Sequence, residues 1–328
     1  MKQIELDDRI IHGAISLEHK GEYVKPWRIN YKEKDFYTPN QLNGQAEVPA
    51  GVRISFLSNT DKIKLEIAPS PLELEFDILI DNELFRTIVV DANKTFLEAA
   101  DLPNQTKRLD IYLSQRNKVE LKALWIAEDA SFQPFNDTRK KWMTYGSSIT
   151  QCYLAESPSQ TWPAITAKEL DLNLVCLGYS GECQYEPMTA RMIRDTSVDF
   201  IHLNASINSY NAETYNHRTF QAVVIGFIKI IREKHKNVPI VLSSSIYGAH
   251  RETTENIVGF TLAQMRDEVE EVINIFRKNG DERIFYINGL DIFGAEHGYL
   301  LPDNLHPNAE GYKLMGQNFA NAFKPYIK

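Results

Sequence analysis

The stretch Lys141-Trp142-Met143-Thr144-Tyr145-Gly146-Ser147-Ser148-Ile149-Thr150 decides the architecture of this chain. A short apolar run ends in glycine, and two serines follow where the backbone must turn. Downstream, further short apolar runs recur at Leu174–Leu177, Phe200–Asn204, Pro239–Ser244 and Ile284–Ile287, with helical stretches between them. That alternation is the pattern of a parallel sheet covered by helices. Phe220 to Ile231 is dense in apolar residues at helical spacing. Leu262, Met265, Val269, Val272, Ile273 and Phe276 form one apolar stripe. A last helix is expected after Pro307, with Asn308 as N-cap and Tyr312, Met315, Phe319 and Phe323 turned inward. The predicted fold of residues 136–328 is therefore a three-layer, flavodoxin-like α/β domain with five parallel strands.

Upstream of this stretch the period changes to two. Ile63, Leu65 and Ile67 alternate with Lys64 and Glu66; Leu72, Leu74, Phe76, Ile78 and Ile80 alternate with Glu73, Glu75 and Asp77. The turn Asp81-Asn82-Glu83 precedes a strand-like run from Phe85 to Val90, and Leu109, Ile111, Leu113, Val119, Leu121 and Ala123 continue the alternation. No amphipathic helix stands out here. Many short strands joined by polar turns predict an all-β sandwich of the jelly-roll kind over residues 1–135.

Composition sets outer bounds. A length of 328 residues suits two domains of roughly 150 residues each. The net charge of -8 argues against a general nucleic-acid binder, whose basic face would show in the count. No run approaches the ~18 apolar residues that read as a membrane span. Charges throughout Met1–His19 leave no continuous apolar core of a secretory leader. Cys152, Cys176 and Cys183 are too few, and odd in number, for a disulfide framework. The expectation is a reduced, cytoplasmic protein without nucleic-acid or membrane partners. The apolar faces are accounted for by cores, so nothing in the pattern specifies an oligomer.

In open parallel sheets, ligands bind at the carboxyl ends of the strands. The first strand ends in Gly146-Ser147-Ser148, a tight bend that exposes a hydroxyl; alone it reads first as a plain turn, and it lacks the second glycine of a G-x-S-x-G elbow. The second ends in Gly178-Tyr179-Ser180-Gly181, where glycine lets the backbone approach a ligand, or simply turns. The third leads to Asn208, whose amide can donate to a developing oxyanion or cap the next helix. Ahead of the last helix stands Pro302-Asp303-Asn304-Leu305-His306-Pro307. An Asp three residues before a His can orient the imidazole and leave its other nitrogen free to take a proton. A polar turn is the bland alternative. Glu296, His297, Asp303 and His306 also lie near one another in sequence, but no HExxH or paired-Cys spacing supports a metal. The order of these features, more than any one of them, raises them above turns.

Other residues read more simply. Trp27, Trp125 and Trp142 can stack on sugars, yet core packing is the plainer account, above all for Trp125 in its alternating strand. Cys183 reads as a buried thiol. Tyr247, His250 and Arg251 read as a solvated loop with some reach toward a substrate. Trp162-Pro163 opens a helix.

These blocks resemble the GDSL/SGNH hydrolase family, in the family's order. The nucleophile block, usually Gly-Asp-Ser-Ile-Thr, stands as Gly146-Ser147-Ser148-Ile149-Thr150; the glycine block matches at Gly181; the G-x-N-D block stands as Ser206-Ile207-Asn208-Ser209; the D-x-x-H-P block is intact at Asp303, His306 and Pro307. The resemblance covers residues 140–328, and the β-rich half resembles the N-terminal jelly roll of some carbohydrate acetylesterases and acyltransferases. It implies the SGNH fold and a serine esterase that removes a short acyl group, acetyl by family habit, from a carbohydrate or small-metabolite ester, with Ser148, His306 and Asp303 as triad. Acyl transfer, or carbohydrate binding without catalysis, are the alternatives. The backbone N–H groups of Ser148 and Gly181 and the Asn208 amide would form the oxyanion hole. No cofactor or metal is required. Ser147, Ser206 and Ser209 depart from the family's Asp, Gly and Asp; none is a triad member or oxyanion donor in the pattern.

Overall fold

The computed structural model describes residues 1–37, 41–205 and 207–327. Two compact units emerge: one holds residues 1–34, 43–138 and 157–159, the other residues 35–42, 139–156 and 160–328.

The first unit is a β sandwich. One antiparallel sheet runs Ser16–Lys20, Tyr23–Trp27, Leu121–Ile126, Ile63–Ile67, Phe96–Ala99, with Lys2–Ile4 also paired to Leu121–Ile126. The other runs Gln133–Pro134, Arg53–Ser58, Lys107–Tyr112, Leu74–Ile80, Glu83–Val90, with Ile11–His12 also paired to Arg53–Ser58. Alternate residues of both sheets, among them Ile54, Phe56, Leu65, Phe76, Ile78, Leu109, Ile111 and Leu121, share one core. Alternation of burial fails in the strand Leu74–Ile80. Asp77 and Leu79 lie on the face opposite Phe76 and Ile78, yet both are buried, Asp77 fully, beneath the segment Ser157–Ser159 that bonds to it. The Asp77 carboxylate accepts from Thr87 Oγ1 (2.6 Å), Ser157 Oγ (2.6 Å) and the Ser159 N–H (2.7 Å). The apolar run to Val90 lies on an edge strand and leaves Phe85 and Val89 exposed. Trp125 is half-buried, contrary to expectation, because its neighbour Leu124 takes the core side; Trp27 and Trp142 are buried. Two short helical segments absent from the period-two reading occur at Tyr31–Phe36 and Gln41–Ala46.

The second unit is built on five parallel strands: β1 (Lys141–Gly146), β2 (Asn173–Gly178), β3 (Phe200–Asn204), β4 (Ile240–Ser243) and β5 (Ile284–Ile287), in the order β2-β1-β3-β4-β5. The main helices are α1 (Trp162–Glu169), α2 (Pro187–Asp195), α3 (Phe220–Arg232), α4 (Leu262–Lys278) and α5 (Ala309–Phe323). Successive residues of β1 point to opposite faces. Trp142 stacks on Phe319 of α5 and meets Trp162 of α1, whereas Tyr145 stacks on Phe227 of α3. Side-chain caps set the helix starts: Thr161 accepts from Ala164, Thr261 forms a capping box with Gln264, and Asn308 accepts from the Gly311 N–H at 2.9 Å. The chain leaves β1 toward β2 and returns past it to β3. The topological switch therefore falls at the carboxyl ends of β1 and β3, where a crevice opens. Among the described residues, no helix is long and apolar enough to cross a membrane.

Glu186, directly ahead of α2, is an acid tucked beside Tyr145 Oη at 3.5 Å, with Glu182, Cys183, Tyr185 and Tyr215 around it. Burial pushes its carboxyl up to about 7, and nearby backbone N–H groups offset this only in part.

Two stability experiments follow from Asp77 and Glu186. Asp77→Ala removes the acceptor for three donors, and urea denaturation should show a loss of about 2–4 kcal/mol; an unchanged midpoint would mean water replaces the carboxylate there. Between about pH 4.3, where an unfolded Glu ionises, and about 7, folding must keep Glu186 protonated. Wild-type stability should fall relative to Glu186→Gln as pH rises through that window and level off above it. Parallel melting curves for the two proteins from pH 4 to 8 would contradict the assignment.

Candidate active site

β1 ends in Gly146, and Ser147 then takes extended backbone angles (φ -83°, ψ -161°) and caps a single helical turn, Ser148–Gln151. Ser147 Oγ accepts from the Ile149 N–H at 3.2 Å, the capping service an Asp there would also perform. Cys152, in the left-handed region at φ 63°, ends the turn. Two close approaches seat it. A Cβ on Gly146 would fall 2.1 Å from Thr150 Oγ1, and one on Gly178, at the end of β2, would fall 2.3 Å from the Gln151 backbone nitrogen. Trp162 Nε1 donates to the Ile149 carbonyl at 2.9 Å, tying the turn to the start of α1.

The turn points Ser148 at the loop ahead of α5. Ser148 Oγ lies 2.8 Å from His306 Nε2, and His306 Nδ1 lies 2.6 Å from Asp303 Oδ2. The other Asp303 oxygen accepts from the backbone N–H groups of His306 (2.7 Å) and Leu305 (3.0 Å). With a carboxylate against Nδ1, the proton of the neutral ring belongs on Nδ1, leaving Nε2 as an acceptor. Burial pushes the Asp303 carboxyl up, but the imidazole and the two backbone donors outweigh it and hold the group below the usual carboxylate range.

Gly181 sits in a one-turn helix, Ser180–Glu182, and a Cβ there would meet nothing within 4 Å. Among the described residues no neighbour demands glycine at that position; the open space is where a ligand can come close. Asn208 lies on the short helix Ile207–Asn211 and is 8% exposed. The Cys183 N–H donates to Asn208 Oδ1 at 3.3 Å, so the amide nitrogen is the end left to donate elsewhere. Ser209 is buried, with Oγ 3.5 Å from Gln184 Oε1; Ser206 lies outside the described residues. His297 and Glu296 pair with each other at 3.4 Å.

Two features were not legible beforehand. Arg251, read as part of a solvated loop, donates through Nε to Asn211 Oδ1 (3.1 Å) and through Nη1 to the Asn304 carbonyl (3.0 Å). It joins the helix that carries Asn208 to the loop that carries Asp303 and His306. The second is a polar chain inside the sheet. Asn204 Nδ2 lies 3.0 Å from Ser243 Oγ, which lies 2.8 Å from His202 Nε2, and His202 Nδ1 lies 2.8 Å from Thr144 Oγ1. Burial pushes the His202 imidazole down to about 3, so it is neutral. A His, a Ser and a Thr on three separate strands carry no spacing signal. Cys183 is buried, as expected.

Residues 10–122 match the SsfX3 N-terminal domain model, and residues 139–328 match the GDSL-like lipase/acylhydrolase family model. No curated protein matches the chain in sequence. Among solved structures, the salicylyl-acyltransferase SsfX3 from a tetracycline biosynthetic pathway is 27% identical, with a TM-score of 0.92 over 100% of this chain and 99% of that one. A family two carbohydrate esterase from Clostridium thermocellum, in complex with cellohexaose, is 14% identical, with a TM-score of 0.68 over 85% of this chain and 93% of that one. An acetyl xylan esterase from the rumen bacterium Butyrivibrio proteoclasticus is 16% identical, with a TM-score of 0.62 over 99% and 98%. The last two speak to the fold alone. With more than half of its length matched by that family's own model, the chain belongs to the GDSL-like lipase/acylhydrolase family.

Proposed function

We propose that this protein is a serine esterase that removes a short acyl group from a carbohydrate or small-metabolite ester, with Ser148, His306 and Asp303 as catalytic triad. The observation that carries the reading is the unbroken line Ser148 Oγ–His306 Nε2 and His306 Nδ1–Asp303 Oδ2, at 2.8 and 2.6 Å. Both distances are within direct proton-transfer reach.

In this scheme His306 takes the Ser148 proton as Oγ attacks the ester carbonyl, and Asp303 stabilises the imidazolium. The oxyanion is met by the backbone N–H groups of Ser148 and Gly181 and by Asn208 Nδ2, which the Cys183 contact turns outward. His306 then returns the proton to the leaving alcohol, and water resolves the acyl-enzyme. Residues 136–328 form the catalytic domain and residues 1–135 an accessory sandwich. Three buried thiols support a reducing, cytoplasmic setting. A second reading, transfer of the acyl group to another hydroxyl, takes its motive from the full-length likeness to SsfX3; it shares every residue and differs only in what resolves the acyl-enzyme.

Hydrolysis of p-nitrophenyl acetate by matched, folded variants tests the assignment. Ser148→Ala should lose at least about 10³-fold in turnover, Ser147→Ala should keep most of it, and Asn208→Ala should fall by about 10²–10³. Activity that survives in Ser148→Ala would overturn the nucleophile. Products formed with competing alcohols then separate hydrolysis from transfer.

A further inference from the structure

A narrow cavity lies within the α/β unit, lined by chain neighbours of the Ser148–His306 pair. Ile149, Ile207 and Leu305 line it, each the immediate chain neighbour of Ser148, Asn208 or His306. Of its walls, Leu305 and Tyr247 are partly exposed, whereas Trp162, Met315 and Phe319 are buried. Five polar residues line it; Asn204 Nδ2 donates to Ser243 Oγ, which also meets His202 Nε2, Ser245 Oγ donates to the Ala205 carbonyl, and Thr150 is the fifth. What remains is mainly aliphatic and aromatic surface. The space between these walls admits little more than one water-sized group.

We propose that this cavity is the acyl pocket of the enzyme, that it takes an acetyl group in preference to longer chains, and that Met315 sets the limit. The inference rests on the triad reading given above. An acyl group on Ser148 has its carbonyl oxygen toward Asn208 and Gly181, and its alkyl carbon needs an apolar recess beside the same serine. The residues next to Ser148, Asn208 and His306 converge on one such recess. Met315 is the wall most easily moved. Trp162 and Phe319 are held in a ring cluster with Trp142 and His202, while Met315 is an unbranched side chain on α5 with no part in that cluster.

The test is a chain-length profile on p-nitrophenyl esters from acetate to octanoate. Wild type should lose about 10-fold or more in kcat/KM between acetate and hexanoate. Met315→Ala should raise hexanoate relative to acetate by about 10-fold. Equal use of both esters by wild type, or an unchanged profile in a Met315→Ala protein that melts cooperatively, would overturn the proposal. A measurement on wild type alone covers a variant that fails to fold. p-Nitrophenyl alkylphosphonates form a P–O bond to an attacking serine and release p-nitrophenolate, while the serine proton goes to the His base. The methylphosphonate should modify Ser148 at least about 10-fold faster than the hexylphosphonate, by mass mapping. Equal rates at Ser148 would overturn the pocket while leaving the triad standing. No adduct at Ser148 from either reagent, with ester hydrolysis intact in Ser148→Ala, would overturn the triad reading itself.

Discussion

The depth at which the turn Ser147–Gln151 rests on the strand ends controls the rest of the site. The turn lies so close to β1 and β2 that a side chain on Gly146 would strike Thr150 and one on Gly178 would strike the backbone of Gln151. Raising the turn by even a fraction of a Cβ contact would carry Ser148 Oγ away from His306, which arrives 158 residues later in the chain. A hydrogen bond of 2.8 Å between such distant segments has little slack. Both ends must be positioned by the sheet itself.

Pairing of buried polar groups does much of that positioning. Inside the sheet, Asn204, Ser243, His202 and Thr144 satisfy one another across β3, β4 and β1, and the neutral imidazole fits because one ring nitrogen donates and the other accepts. At the strand ends, the Cys183 N–H fixes the orientation of the Asn208 amide, and Tyr210 Oη donates to the Thr254 carbonyl to hold the same short helix from its other side. Arg251 spans from that helix to the Asp303–His306 loop. The sandwich uses the same logic at Asp77, whose three donors make burial of a carboxylate tolerable.

What was legible beforehand followed from periodicity. All five parallel strands and the helices at residues 220–232, 262–278 and 309–323 lie where apolar spacing placed them, with boundaries shifted by a residue or so. The exceptions have physical causes. Asp77 sits on the polar side of the alternation, and donors from Thr87, Ser157 and Ser159, the last two remote in sequence, make its burial possible. Trp125 leaves the core face because a register shift between Leu121 and Ala123 breaks the alternation and brings Leu124 and Ile126 inward instead. The Gln41–Ala46 helix, six residues with an internal glycine, is too short to display a stripe.

The amino-acid pattern alone determined the two architectures, their order along the chain, and the short list of side chains able to do acyl chemistry. It did so because hydrophobic period and turn chemistry are local properties, readable within a few residues. The tertiary structure decided which members of that list meet. A 2.8 Å contact between Ser148 and His306, a guanidinium shared by Asn211 and Asn304, and a cavity walled by Ile149, Ile207, Leu305 and Met315 all join segments that are remote in sequence. Such contacts depend on how the strands are ordered and how closely a turn can approach a strand end, and no single stretch of the chain encodes either.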